Sequence, residues 1–296
     1  MGILFIVSLI WAFSFGLIKD RLAGLDANFV ASTRLLISML VFLPFLRPGG
    51  LPRKLSLRLA AIGALQYGVM YITYIAAFRF LQAYEVALFT IFTPIYVTLF
   101  NDLFARRFKA LNLLTASLAV IGTGIISYGG LGKQDMLTGF LLVQVSNLCF
   151  AFGQVAYQRW MGPTLRADDL KVFGLLYLGG FAAASLAAGV LTPWRTLVVS
   201  PGQVWTLVYL GAVASGVGFF LWNYAARRVE TGMLAIFNDL KVPLAVAVSL
   251  LFFGEKTDPV RLAIGGLLAV GALVMQEWSN RARREGIRPE VKSLDI

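Results

Sequence analysis

The chain has 296 residues, 58% of them apolar or aromatic and only 14% charged, where an ordinary soluble domain carries roughly 25% charge. Its net charge is +11, but the basic residues flank long apolar runs and share no single face, which excludes a soluble globular enzyme and argues against nucleic acid. With no histidine and one cysteine, Cys149, there is no imidazole ligand, histidine relay, internal disulfide or multi-cysteine metal site.

Ten apolar runs follow in order, at 2–18, 29–46, 59–78, 83–101, 110–128, 137–157, 171–191, 203–225, 233–253 and 259–277. Each has about the length needed to cross a hydrocarbon core of roughly 30 Å. Backbone polar groups cannot be left unpaired in lipid, so each should be a helix. The amino terminus turns apolar at once without a basic stretch, and reads as a first span and not a cleaved signal. The side holding both termini carries seventeen lysines and arginines, five of them in the tail (Arg281, Arg283, Arg284, Arg288 and Lys292), against seven on the other side. Both termini should be cytoplasmic, in a multi-pass protein of a bacterial-type inner membrane.

Several spans carry polar or aromatic residues where lipid would penalise them. Trp11 lies deep in the first span, too far in for an interfacial anchor. Arg34 on the second and Glu85 on the fourth sit at equal depth and could form an ion pair, either a gate or a static lock. On the third span Tyr67, Tyr71 and Tyr74 share a face, the first two roughly 12 and 18 Å in. They suit an aromatic or amphipathic substrate, or packing between helices. Pro94 and Pro243 each remove a backbone bond in mid-helix and should bend it, as hinge or fixed kink. The sixth span aligns Gln144, Asn147, Gln154 and Gln158 on one stripe, facing a wet cavity or bonding helix to helix. On the eighth, Gly211, Ser215 and Gly218 precede Trp222 and Asn223. On the ninth, Lys241 lies roughly 14 Å deep with Asn238 one turn before it. It should attract a substrate carboxylate or lock onto Asp239 or backbone carbonyls.

The halves look alike. Residues 74–126 laid on 223–275 match Ala76 with Ala225, Arg79 with Arg228, Pro94 with Pro243 and Gly122 with Gly271, and Phe13-Ser14-Phe15-Gly16 recurs as Phe150-Ala151-Phe152-Gly153. Five spans per half is an odd number, so the second copy must cross in the opposite sense. The expected fold is all-α: ten transmembrane helices as two inverted five-helix repeats (1–133 and 134–278) around a central cavity, with a basic tail at 279–296.

Trp11-Ala12-Phe13-Ser14-Phe15-Gly16, Thr93-Pro94-Ile95-Tyr96 and Phe252-Phe253-Gly254-Glu255 resemble the drug/metabolite transporter superfamily, in its ten-helix EamA-type exporter branch. Gln82-Ala83-Tyr84-Glu85 and Trp222-Asn223 are similar to YddG-type exporters of amino acids, aromatic ones especially. The resemblance implies a basket of ten helices with a central substrate cavity and termini inside. In the first half Arg106-Arg107 stands where the second has Glu255-Lys256, a departure from the acidic ending.

The expected function is a secondary transporter that exports small metabolites, foremost amino acids with large apolar side chains, by alternating access. Trp11, Tyr67, Tyr71, Tyr74, Gln144, Asn147, Phe150, Gln154, Trp222, Asn223, Asn238 and Lys241 are the substrate-binding candidates, and Arg34, Glu85, Pro94 and Pro243 the gating ones. The partners are the lipid bilayer and a small molecule, with no cofactor, in a monomer or homodimer. Gly129-Gly130-Leu131-Gly132-Lys133-Gln134 has neither the length nor the hydroxyl of a phosphate loop. The alternatives are exchange of phosphorylated or nucleotide-linked metabolites, which would demand several converging cations, and a membrane enzyme or receptor.

Overall fold

The structure is a computed structural model describing residues 2–47, 49–106, 133–162, 168–229 and 231–255. The spans expected at 110–128 and 259–277, and the tail from 279, lie outside the described residues. The remaining eight appear as helices α1 (Gly2–Arg21), α2 (Ala27–Phe45), α3 (Arg53–Ala77), α4 (Ala83–Phe104), α5 (Gln134–Trp160), α6 (Asp169–Leu191), α7 (Pro201–Ala226) and α8 (Thr231–Phe252). The first seven are long and apolar enough to cross a membrane, and α8 carries a shorter apolar stretch, Leu240–Phe252. Large apolar side chains turn outward, with Val190, Trp205 and Leu251 each about three quarters exposed. That pattern suits hydrocarbon as solvent.

Side chains set the helix starts. Asp26 accepts from the N–H groups of Asn28 and Phe29 at the head of α2. Glu85 folds back onto the Gln82 N–H at 2.8 Å before α4. Ser200 and Gln203 cap each other reciprocally at α7, followed by Pro201 in the first turn. These are the orphan donors that every helix start leaves.

The eight helices close into a ring. Helix α1 packs on α8 and α7, α2 on α6 and α7, α3 on α5 and α6, and α4 on α5 and α8. Exchanging α1–α4 with α5–α8 maps this ring of contacts onto itself. The hydrogen bonds at the helix ends show the directions. Lys19 near the end of α1 donates to the carbonyls of Phe78 and Leu81 after α3, and Thr192 after α6 donates to Asp26 before α2 at 2.6 Å. Glu255 beyond α8 meets the start of α4. At the opposite end, Tyr157 near the end of α5 donates to Asp169 at the start of α6. Helices α1 and α5 therefore run in opposite senses.

Contact between α3 and α6 is backbone to backbone. A Cβ on Gly63 would lie 1.8 Å from the Leu176 carbonyl oxygen, and one on Gly179 would lie 1.8 Å from that of Ala60. Only glycine permits this approach.

Helices α3, α4 and α7 depart from α geometry in mid-span. Helices α3 and α7 each contain a π-helical stretch, at Ala64–Val69 and Leu210–Val217. Shifted by 149 residues, these two stretches overlap. Helix α4 tightens to a 3₁₀ turn at Thr90–Phe92 just before Pro94, whereas α8 stays helical through Pro243. The two prolines, expected to act alike, thus interrupt one helix only.

Candidate functional site: a cationic cavity walled by aromatic rings

A cavity opens between α1, α2, α3, α4, α5, α7 and α8. Its rings are Trp11, Phe15, Tyr71, Tyr74, Phe150 and Phe219, and its short polar groups are Ser14, Thr90, Thr93, Ser146 and Asn147. Met70, Arg34 and Lys241 complete the wall, which holds no carboxylate among the described residues.

Irregular backbone places much of this wall. A π stretch offsets the i→i−4 ladder and leaves carbonyls for other donors. In α7 those donors come from neighbouring helices. Trp11 Nε1 donates to the Ala214 carbonyl at 3.0 Å, Ser38 Oγ to that of Gly211 at 2.8 Å, and Tyr177 Oη to those of Ser215 and Gly216. Trp11 is thereby fixed with its ring 5.0 Å from both Phe219 and Trp222. In α4 the turn before Pro94 exposes the Phe89 carbonyl, which accepts from Asn147 Nδ2 at 2.8 Å. Thr93 Oγ1 bridges back to the Thr90 carbonyl at 2.7 Å and to Asn147 Oδ1 at 3.3 Å.

The two cations differ in setting. Lys241 donates to Asn238 Oδ1 at 2.9 Å and lies 5.5 Å from the Trp11 ring centre. Arg34, only 2% exposed, gives Nε and Nη2 to Ser215 Oγ at 3.2 and 3.0 Å and Nη2 also to Tyr71 Oη at 2.9 Å. Its guanidinium carbon stands 4.4 Å over the Tyr71 ring, and its Nη1 is buried without a partner among the described residues.

Of the twelve substrate candidates, Trp11, Tyr71, Tyr74, Asn147, Phe150 and Lys241 line the cavity. The other six stand behind it in this conformation. Tyr67 accepts from Asn223 Nδ2 and stacks on Tyr177 at 5.4 Å, while Gln154 accepts from Trp222 Nε1 at 3.0 Å. Gln144 accepts from Tyr96 Oη, and Asn238 supports Lys241. The amide stripe of α5 is thus divided between cavity and helix–helix bonding. Gln158, at its far end, donates to the Ala226 carbonyl.

The expected Arg34–Glu85 pair is not formed. Arg34 is held by hydroxyls of α3 and α7, and Glu85 caps its own helix. Sequence reasoning missed Ser14, Phe15, Met70, Thr90, Thr93, Ser146 and Phe219. Ser14 and Phe15 follow Trp11 at i+3 and i+4, a signal that was readable; Phe219 carried none.

The family description "EamA-like transporter family" matches residues 1–128 and 137–276. The chain belongs to this family. A probable biotin transporter of Pseudomonas aeruginosa is 38% identical over 290 residues, 97% of this chain and 100% of its own length. A biotin transporter of Escherichia coli is 38% identical, over 94% of this chain and 93% of its own. A probable amino-acid metabolite efflux pump of Salmonella typhimurium is 25% identical over 61% and 62%. One solved structure, titled only as a crystal structure of a protein, superposes with a TM-score of 0.65 at 17% identity, covering 92% of this chain and 95% of its own; it shares the fold. This EamA-like chain is accordingly a multi-pass membrane transporter.

Proposed function

We propose that this transporter carries biotin, or a small carboxylate of the same build, by alternating access through two inverted five-helix repeats, 1–133 and 134–278. The observation that carries the substrate reading is one cavity with six aromatic rings, two buried cations and no acidic side chain among its described lining residues. Biotin offers a compact bicyclic body for the rings, a ureido edge for Asn147, Thr93 and Ser14, and a carboxylate for the cations. Full-length similarity to proteins named biotin transporters supports the same choice.

The contact ring that survives exchange of the halves, the opposed directions of α1 and α5 and the paired π stretches support the inverted repeat. In the inner bacterial membrane, the excess of lysine and arginine puts both termini in the cytoplasm and the Lys19–Glu255 end outside. Pro94, beside a break in α4, is the better-supported hinge of the proline pair.

A second reading, export of aromatic amino acids, is favoured by the same rings. It requires an anionic or strongly polar partner for the substrate ammonium, and among its described residues the wall supplies hydroxyls and one amide but no carboxylate. Counterflow of labelled biotin into and out of proteoliposomes tests the proposal. Saturable exchange above empty vesicles is expected. Movement of L-phenylalanine without movement of biotin would favour the second reading.

A further inference from the structure

We propose that the carboxylate of the substrate is taken by Nη1 of Arg34, and that Lys241, the obvious cation in the sequence, does not set the preference for an acid. This deepens the carboxylate reading of the cavity and rests on it.

Arg34 lines the cavity and is buried, yet every partner it has among the described residues is neutral: the hydroxyls of Ser215 and Tyr71 and the face of the Tyr71 ring. A buried charge with only neutral partners is incompletely compensated. Arg34 is part of the cavity wall, and its Nη1 is a buried donor with nothing to donate to among the described residues. Carboxylate and guanidinium are matched in shape as well as charge, and a planar fork loses little freedom when already oriented. Here the orientation is fixed in advance. Nε and Nη2 both point at one oxygen, Ser215 Oγ, which itself donates to the Leu210 carbonyl at 2.8 Å within the π stretch of α7. Tyr71 Oη stands 2.7 Å from that same oxygen. Lys241, by contrast, donates a hydrogen bond to Asn238 and lies against Trp11, where its charge adds to the field of the cavity.

The test uses purified full-length protein and matched pairs differing in the carboxylate: biotin with its methyl ester, L-phenylalanine with its amide, and 3-phenylpropionate with its amide. Binding is read by thermal stabilisation, which reports ligands of the folded state. The wild type should prefer the acid of at least one pair by roughly 10- to 100-fold, the range of a charge-assisted hydrogen bond. Arg34→Gln should erase that preference, and Lys241→Gln should keep it. Should Arg34→Gln not fold, Ser215→Ala frees the guanidinium and should lower acid binding several-fold while leaving ester or amide binding in place. The proposal is overturned if the preference survives Arg34→Gln, if Ser215→Ala weakens acid and ester alike, if Lys241→Gln erases the preference, or if the wild type favours no acid. A silent biotin pair beside an Arg34-dependent preference for another acid would remove biotin as substrate and leave this inference standing.

Discussion

Glu255 closes its carboxylate on the backbone N–H groups of Ala83, at 2.8 Å, and Tyr84, at 3.1 Å. A residue just beyond α8 thus caps the start of α4, in the other half of the chain. Gly254, with φ +64, turns the chain off α8 to bring it there. An acidic group at a helix start satisfies orphan donors and opposes the positive end of the helix dipole. Glu255→Ala should therefore lower stability by about 1 kcal/mol, seen as a fall in melting temperature of a few degrees. Glu255→Asp, one methylene short, should behave like Ala if the reach is what matters.

Trp11 joins the cavity wall to the π stretch of α7 through a single N–H. Trp11→Phe keeps an aromatic ring and removes the donor to the Ala214 carbonyl, 3.0 Å away. Leaving that buried acceptor unsatisfied costs about 1–3 kcal/mol. The expected result is a less stable protein with transport reduced more than biotin binding, measured by counterflow alongside thermal stabilisation.

Gly63 and Gly179 let α3 and α6 touch along their backbones. Alanine at either position puts a methyl carbon within 1.8 Å of a carbonyl oxygen on the other helix. Backbone cannot give way as a side-chain tip can, so the helices must separate, at a cost of about 1–3 kcal/mol or more. Gly63→Ala should reduce the monodisperse fraction in size-exclusion chromatography. Gly189→Ala, with open space around it, is the matched control.

Asp169, 3% exposed, holds the opposite end together. It accepts from Tyr157 and Arg227 at Oδ1 and from Arg228 at Oδ2. Breaking a buried pair by removing one partner leaves the other charge uncompensated, at about 3–5 kcal/mol. The half-exposed side chain of Arg228 should contribute little of that. Asp169→Asn should destabilise the protein far more than Arg228→Gln, a ranking that urea or heat denaturation in mild detergent will read directly.

Membrane residence and the position of the described spans were legible because they are constraints on each segment alone. Bilayer thickness sets the length, and the need to pair every backbone group in lipid dictates a helix. The internal likeness of the halves was legible too, since Pro94, Pro243 and the span boundaries recur at one offset. Which way each polar side chain faces was not. A stripe such as Gln144, Asn147 and Gln154 establishes that three amides share a helix face, but rotation of that face relative to its neighbours is a property of the whole ring. The result is that Asn147 meets the cavity while Gln154 meets Trp222. Arg34 shows the same divide most sharply. The sequence places it a turn or so inside the outer face, and paired by depth it pointed to Glu85. Only the folded ring brings Ser215 from a π stretch 181 residues away to orient the guanidinium, because the backbone offset that aims Ser215 arises from packing and leaves no periodic trace.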